Sequence, residues 1–160
     1  MMKRTPIFCF ILMLFLYSCT EKNVHFLEYK EIHDSSWNHS DSIDFEFEIK
    51  DTLMSYDVFL ELRTTTSYDW SNIFIFSDLT FPNQKTRRDT FEFELADKYG
   101  KWHGNKSGVT VENSIKLYNK KVNFPLKGNY HFTVHQAMRD LNLKGIMDVG
   151  VKIKKVELQH

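Results

Sequence analysis

From residue 43 to residue 50 the chain reads I-D-F-E-F-E-I-K, so Ile43, Phe45, Phe47 and Ile49 alternate with Asp44, Glu46, Glu48 and Lys50. Period-two alternation marks a strand with one face in a core and the other in water; on a helix the same apolar residues would scatter around the axis. Residues 56–64 repeat the pattern, with Val58, Leu60 and Leu62 on one face and Phe59 beside Glu61 and Arg63 on the other. Residues 89–95 do so through Phe91, Phe93 and Leu95. Residues 70–76, W-S-N-I-F-I-F, are apolar on both faces near their end, as in a central strand. Residues 24–30, 109–117, 130–134 and 149–156 complete the set, separated by turn-rich segments such as 33–42 and the glycine-containing stretch 96–108. Helical spacing is confined to residues 134–143, enough for a short turn. About eight short strands at this spacing predict an all-β fold, an antiparallel β-sandwich of jelly-roll type.

The first residues follow a different rule. Lys3 and Arg4 precede an apolar run of 11 residues, 7–17, after which Ser18, Cys19 and a polar T-E-K-N follow. A spanning helix needs roughly 20 apolar residues, so the run fits the core of a signal peptide. Leu16-Tyr17-Ser18-Cys19 resembles a bacterial lipobox, with Tyr17 where a small or aliphatic residue is usual. Residues 1–18 are therefore read as a cleaved lipoprotein signal peptide. Residues 19–23 are the lipidated Cys19 and a short tether, and residues 24–160 a single β-sandwich domain. Acyl chains on Cys19 would hold the chain at a membrane, each buried methylene contributing about 0.8 kcal/mol. Glu21 is the nearest acidic residue behind Cys19, a slight pointer to surface export.

Cleavage would remove Cys9 and leave Cys19 as the mature cysteine, so no internal disulfide is expected. It would also remove Lys3 and Arg4 from 21 basic residues, leaving 19 against 21 acidic and a net charge of −2. A polyanion binder carries a basic excess on one face. Here the densest basic run, K-I-K-K at 152–155, alternates with apolar positions and reads as the wet side of a strand, so no nucleic-acid partner is expected.

Catalytic and metal chemistry find little purchase. His131 and His135 are four apart, which on a strand separates them by about 13 Å, too far for one ion. The chain has no H-E-x-x-H and no G-x-S-x-G, and its mature cysteine would be acylated. The many Asp and Glu are mostly the outward half of alternating strands. No metal, cofactor or catalytic residue is expected. Tyr68 and Trp70 before a strand, and Tyr99 and Trp102 in the glycine-containing loop, could stack on sugar rings or dock a partner. Plugging the ends of the core is the favoured reading of the four. Arg139, in Q-A-M-R-D, is either a buried structural pair or an interface anchor.

Several segments in one order resemble the GldH family of gliding-motility lipoproteins of the Bacteroidetes. They are the lipobox ending at Cys19, Y-D-W-S-N-I-F-I-F at 68–76, L-A-D-K-Y-G-K-W-H-G at 95–104, N-F-P-L-K-G-N-Y-H-F at 123–132, Q-A-M-R at 136–139 and L-K-G-I-M-D-V-G-V-K-I at 143–153. The resemblance implies a lipid-anchored envelope protein at the outer membrane, on its periplasmic side rather than the cell surface. It implies an accessory role through contacts with other gliding or secretion envelope proteins, and it brings no catalytic residues. A carbohydrate-binding lipoprotein is the alternative. The phylum also O-glycosylates exported proteins at Asp-Ser/Thr before an aliphatic residue, a pattern met at Ser42 and Thr52, which flank the clearest strand.

Overall fold

The computed structural model describes residues 22–156; the expected signal peptide, Cys19 and the first tether residues lie outside the described residues. Its strands are β1 (Val24–Glu31), β2 (Ser36–Asn38), β3 (Ile43–Ile49), β4 (Ser55–Thr65), β5 (Asn72–Thr80), β6 (Thr86–Glu94), β7 (Asn105–Ser107), β8 (Thr110–Lys116), β9 (Val122–Asn123), β10 (Gly128–Gln136), β11 (Asn142–Lys144) and β12 (Ile146–Lys155). Each of the eight segments expected from alternation is one of the long strands. In β3 every second residue is buried, as its sequence demands. The four additions, β2, β7, β9 and β11, are two or three residues long, too short to show a period.

The long strands pair antiparallel in a nested series, β1 with β12, β3 with β10, β4 with β8 and β5 with β6. This is one long hairpin folded at its middle. It is then rolled so that β12 also pairs β4 and β10 also pairs β5. The result is two sheets, β1-β12-β4-β8 extended by β7 and β9, and β3-β10-β5-β6. That is the strand order of a jelly roll, the architecture read from the sequence.

The registers give the sandwich two distinct ends. Strands β1, β4, β6 and β10 run away from the N-terminal end, and β3, β5, β8 and β12 run back to it. Lys155 N–H donates to the Asn23 carbonyl at 2.9 Å, so the entering chain and the end of β12 lie together. Residues 50–54, 81–85 and 117–127 connect strands at this near end. Residues 32–42, 66–71, 95–109 and 137–145 connect them at the distal end.

Different side chains close the two ends. At the near end Phe47, Tyr56, Phe124 and Tyr130 form a ring cluster, with Phe124 and Tyr130 edge-on at 5.0 Å and Phe47 stacked on Tyr130 at 5.7 Å. Distally the β2–β11 ribbon pairs Trp37 with Leu143, both buried. The Trp37 indole N–H finds the Asp41 carbonyl at 3.1 Å, which makes its burial affordable.

The helical turn expected within residues 134–143 is absent. β10 continues its two-residue period to the buried Gln136. The Gln136 side chain then accepts the Met138 N–H and donates to the Asp140 carbonyl, each at 2.8 Å, fixing a non-helical loop. Among the described residues no helix is long and apolar enough to cross a membrane.

Candidate functional site

Most of the residues singled out from the sequence converge on the distal end. Trp70 is 45% exposed, and its indole N–H donates to the Asp140 carboxylate at 2.8 Å, joining the β4–β5 loop to the β10–β11 loop. Arg139 is exposed beside it, so the buried structural pair considered for it does not form. The Ser71 carbonyl accepts the Leu95 and Ala96 N–H groups, which brings the β6–β7 loop alongside. In that loop Asp97 accepts the Tyr99 N–H at 2.8 Å and the Lys101 N–H at 3.0 Å. These bonds, Lys101's first, lower the Asp97 pKa. The tight turn they make leaves Tyr99 83% exposed. Ser42, also exposed, precedes β3 at this end.

Three residues do not join that surface. Tyr68 is buried at 4% exposure, and its hydroxyl donates to the Asn72 carbonyl at 3.0 Å; burial first and the Asp140 charge second push its pKa up. Trp102 is half-buried against the core, tied to Ala96 by a β-bridge. Both therefore act as end plugs. Thr52 lies at the opposite end, half-buried in the turn where Asp51 accepts the Leu53 N–H. Cys19 is outside the described residues.

His131 and His135 both point outward from β10 toward different carboxylates, Glu46 at 4.0 Å and Asp78 at 3.5 Å. Among the described residues no three His, Cys, Asp or Glu side chains converge as metal ligands.

The outer face of the larger sheet holds a polar cluster that alternation alone did not foretell. Lys152 meets Glu61 at 2.8 Å, Ser114 donates to Glu61 at 2.6 Å, and the Tyr29 hydroxyl reaches Glu61 at 3.3 Å. One pleat away, Arg63 grips Asp148 through Nε at 2.7 Å and a terminal nitrogen at 2.6 Å. Tyr29 reaches Glu61 because Gly150 lies between them in the register, leaving room for the ring. Burial and the neighbouring Glu61 push the Tyr29 phenol up to about 12. A cleft of about 460 Å³ opens beside these side chains, toward Asn105 and Glu112. Within it Glu61 is matched to Lys152 and Asp148 to Arg63, and the Ser114 hydroxyl is engaged by Glu61. The cluster braces a sheet face.

Residues 24–153 match the family model described as GldH lipoprotein. A gliding motility lipoprotein GldH homolog of Christiangramia forsetii is 33% identical over 156 residues, covering 93% of this chain and 94% of that protein. Gliding motility lipoprotein GldH of Flavobacterium johnsoniae is 32% identical over 149 residues, covering 89% and 91%. Among solved structures, a crystal structure of dimeric latent PorU from Porphyromonas gingivalis aligns at 11% identity and TM-score 0.35, over 83% of this chain and 13% of that one, a likeness too low to carry an argument.

Proposed function

The chain belongs to the GldH family of gliding-motility lipoproteins, and from this premise we propose that it is a lipid-anchored, non-enzymatic assembly factor that docks its distal loops on other envelope proteins. Acyl chains on Cys19 hold it at the outer membrane, facing the periplasm. The observation that carries this reading is strand polarity. The chain enters at the near end, while Trp70, Tyr99 and Arg139 stand on loops at the distal end. Strands of nine to eleven residues separate the two ends, about 30 Å at roughly 3.3 Å per residue. An anchored domain of this shape presents those side chains away from the bilayer. Exposed Trp, Tyr and Arg are the residue types that dominate protein interfaces.

The test is a pull-down from native membranes with the full chain, its Cys19→Ala form and a Trp70→Ala/Arg139→Ala form. Gliding or secretion-apparatus proteins should be recovered with the parent chain and lost from both variants. Equal recovery with the loop variant would remove the distal loops from the proposal. Equal recovery with Cys19→Ala would remove the anchor.

O-glycosylation at Ser42 or Thr52 belongs to the same proposal. Ser42 is the better acceptor, being exposed with its hydroxyl only 3.4 Å from the Asp44 carboxylate, whereas Thr52 is half-buried. Intact mass of the protein from its own bacterium, beside Ser42→Ala and Thr52→Ala forms, decides it; an unmodified parent mass ends the idea.

A further inference from the structure

Positive charge is concentrated at the near end. Lys22 precedes β1, Lys85 closes the β5–β6 turn, Lys120, Lys121 and Lys127 stand in the 117–127 connection, and Lys155 ends β12. All six are exposed, and among the described residues none of them forms an ion pair. Lys50 is at this end too and meets Glu48 at 3.2 Å. Residues 22–23, 50–54, 81–85, 117–127 and 155–156 contain one carboxylate, Asp51, which accepts the Leu53 N–H at 2.9 Å. The flanking sequence adds Glu21 and Glu157 and leaves the end cationic. The whole chain balances 21 basic against 21 acidic residues, so lysines gathered here leave the remainder acidic.

No single segment shows this excess; the fold collects it. Lys155 lies opposite Tyr56, and Tyr56 opposite Val122, so the end of β12 and the 117–127 connection flank one strand. The Ser55 hydroxyl donates to Asn123 Oδ1 at 2.8 Å, and the Val156 N–H to the Ser55 carbonyl at 2.9 Å. A Cβ on Gly128 would stand 3.2 Å from Pro82, so the β5–β6 turn abuts the start of β10, next to Lys127. Leu53 stands at the same end, 91% exposed. Its apolar surface lies in water, and an acyl layer would cover it.

We infer that the near end is a cationic seat for anionic lipid headgroups in the leaflet that holds the acyl chains. The inference rests on the Cys19 anchor proposed above. Cys19 and Asn23 are four residues apart, about 14 Å at full extension, so an acylated Cys19 keeps this end within reach of the headgroups. An anionic leaflet attracts basic residues near its surface, and the attraction dies away over about 8 Å at physiological ionic strength. The acyl chains retain the protein, and the lysines orient it. The near end is drawn down with Leu53 at the acyl boundary, while the acidic remainder is repelled. Trp70, Tyr99 and Arg139 then stand about 30 Å out, on the far ends of the strands. A tether alone would leave the domain free to lie on its side. An acidic protein would suit the same lysines, but it would have to share this end with the bilayer.

Fluorescence of the acylated full chain in vesicles tests the seating. A polarity-sensitive dye on Leu53→Cys reports the near end, and the same dye on Tyr99→Cys reports the distal end. The vesicles are phosphatidylethanolamine with about one-third phosphatidylglycerol, or phosphatidylcholine alone. Both should float the chain, because the anchor needs no charge. In the anionic vesicles the Leu53→Cys dye should shift to the blue and be quenched by brominated lipid; in phosphatidylcholine it should keep its emission in water. Lys85→Gln/Lys120→Gln/Lys121→Gln/Lys127→Gln should float equally and lose most of the shift, as should the parent at roughly 0.5 M salt. The Tyr99→Cys dye should respond to neither vesicle. Equal emission of the Leu53→Cys dye in the two vesicles, or a shift that survives the four substitutions, would overturn the seating and leave the anchor in place. A response at Tyr99→Cys would lay the domain on its side and overturn it too. Failure to float with either vesicle would remove the anchor and the seating together. A blue shift in native membranes that neither protein-free vesicle reproduces would assign the lysines to an acidic protein and also overturn the inference.

Discussion

Lys152 and Glu61 form an ion pair at 2.8 Å on the outward side of a sheet, yet their side chains are only 11% and 8% exposed. Tyr29 on β1 and Ser114 on β8 bond the same carboxylate from either side, and the Phe59 ring lies 5.2 Å from the Lys152 ammonium. The pair is closed over by its neighbours in the strand registers. Removing one member strands the other's charge in a poorly hydrated site, a loss of about 3–5 kcal/mol for a buried pair. Glu61→Ala should therefore lower the urea midpoint strongly, while Glu61→Met with Lys152→Met recovers most of the loss. A double variant as weak as the single one would show that packing, and not charge, sets the cost.

Gly150 is held to glycine by contact. A Cβ there would stand 2.7 Å from Tyr29 Cδ1 and 2.8 Å from the Glu28 carbonyl oxygen. The ring can yield; the carbonyl belongs to the paired β1 backbone and yields less. Gly150→Ala should cost about 1–3 kcal/mol, as overpacking does, and Tyr29→Ala in the same chain should relieve only part of it. Thermal unfolding of the three variants measures this, and full relief by Tyr29→Ala would leave the carbonyl contact without effect.

Tyr68 and Trp70 are two residues apart and should lose stability to very different extents. Tyr68 is 4% exposed, and its replacement by Ala empties core volume at about 3–5 kcal/mol. Trp70 is 45% exposed, and its indole hydrogen bond to Asp140 is a surface contact, so Trp70→Ala should cost about 1 kcal/mol or less. Chemical denaturation of both decides it. Comparable losses would place Trp70 in the stability core and weaken its use as a docking side chain.

The same contrast shows how far the sequence could be read. Ile43 to Ile49 announced their strand because β3 has one wet face, and alternation records that directly. The sandwich class followed from the number and regular spacing of such strands, whereas their nested pairing is seen only in the registers. The short ribbons could not be read, since β2 and β11 hold three residues each and exist because Trp37 and Leu143 meet across the chain. Residues 134–143 offered helix spacing only because Gln136, a buried polar residue, breaks the apolar count. Nor could alternation tell that Glu61 and Lys152 are covered. Their period placed them on the outer face, and only the lateral order β1-β12-β4-β8 brings Tyr29, Gly150, Glu61 and Ser114 into one row. The distal grouping of Trp70, Tyr99 and Arg139 was hidden similarly, because strand direction decides which loops share an end.

On the outer face of the smaller sheet, Arg88 forks onto Asp78 at 2.7 and 2.5 Å. That hydrogen bonding holds the Asp78 carboxyl below its usual range; burial opposes it, and the charges of Arg88 and His135 add to the lowering. A depressed carboxylate pKa contributes stability present above the unfolded value of about 3.9 and lost as pH falls through the folded value. Asp78→Asn should therefore flatten the fall of stability below about pH 4 relative to the parent chain. Parallel acid limbs in denaturation at several pH values would show that the pair does not couple to folding.

The alkaline limb carries the opposite sign. Tyr118 donates its hydroxyl to Asp89 at 2.7 Å and accepts from Arg87 at 2.9 Å, behind Phe91. Burial, followed by the hydrogen bond to Asp89, pushes its phenol up to about 12, as burial and Glu61 do for Tyr29. An acid whose pKa rises on folding contributes stability that is complete below its unfolded value, about 10 for tyrosine, and is lost as pH climbs through the folded value. Between those limits the unfolded chain releases protons that the native one retains. The parent chain should therefore weaken steeply over this window, and Tyr118→Phe should weaken less steeply although it starts lower for want of two hydrogen bonds. Tyr29→Phe should reduce the slope further when combined with it. Chemical denaturation at a series of alkaline pH values, with phenolate absorbance followed in the same samples, separates the outcomes: equal slopes in all three chains would mean that these hydroxyls ionise without opposing the fold.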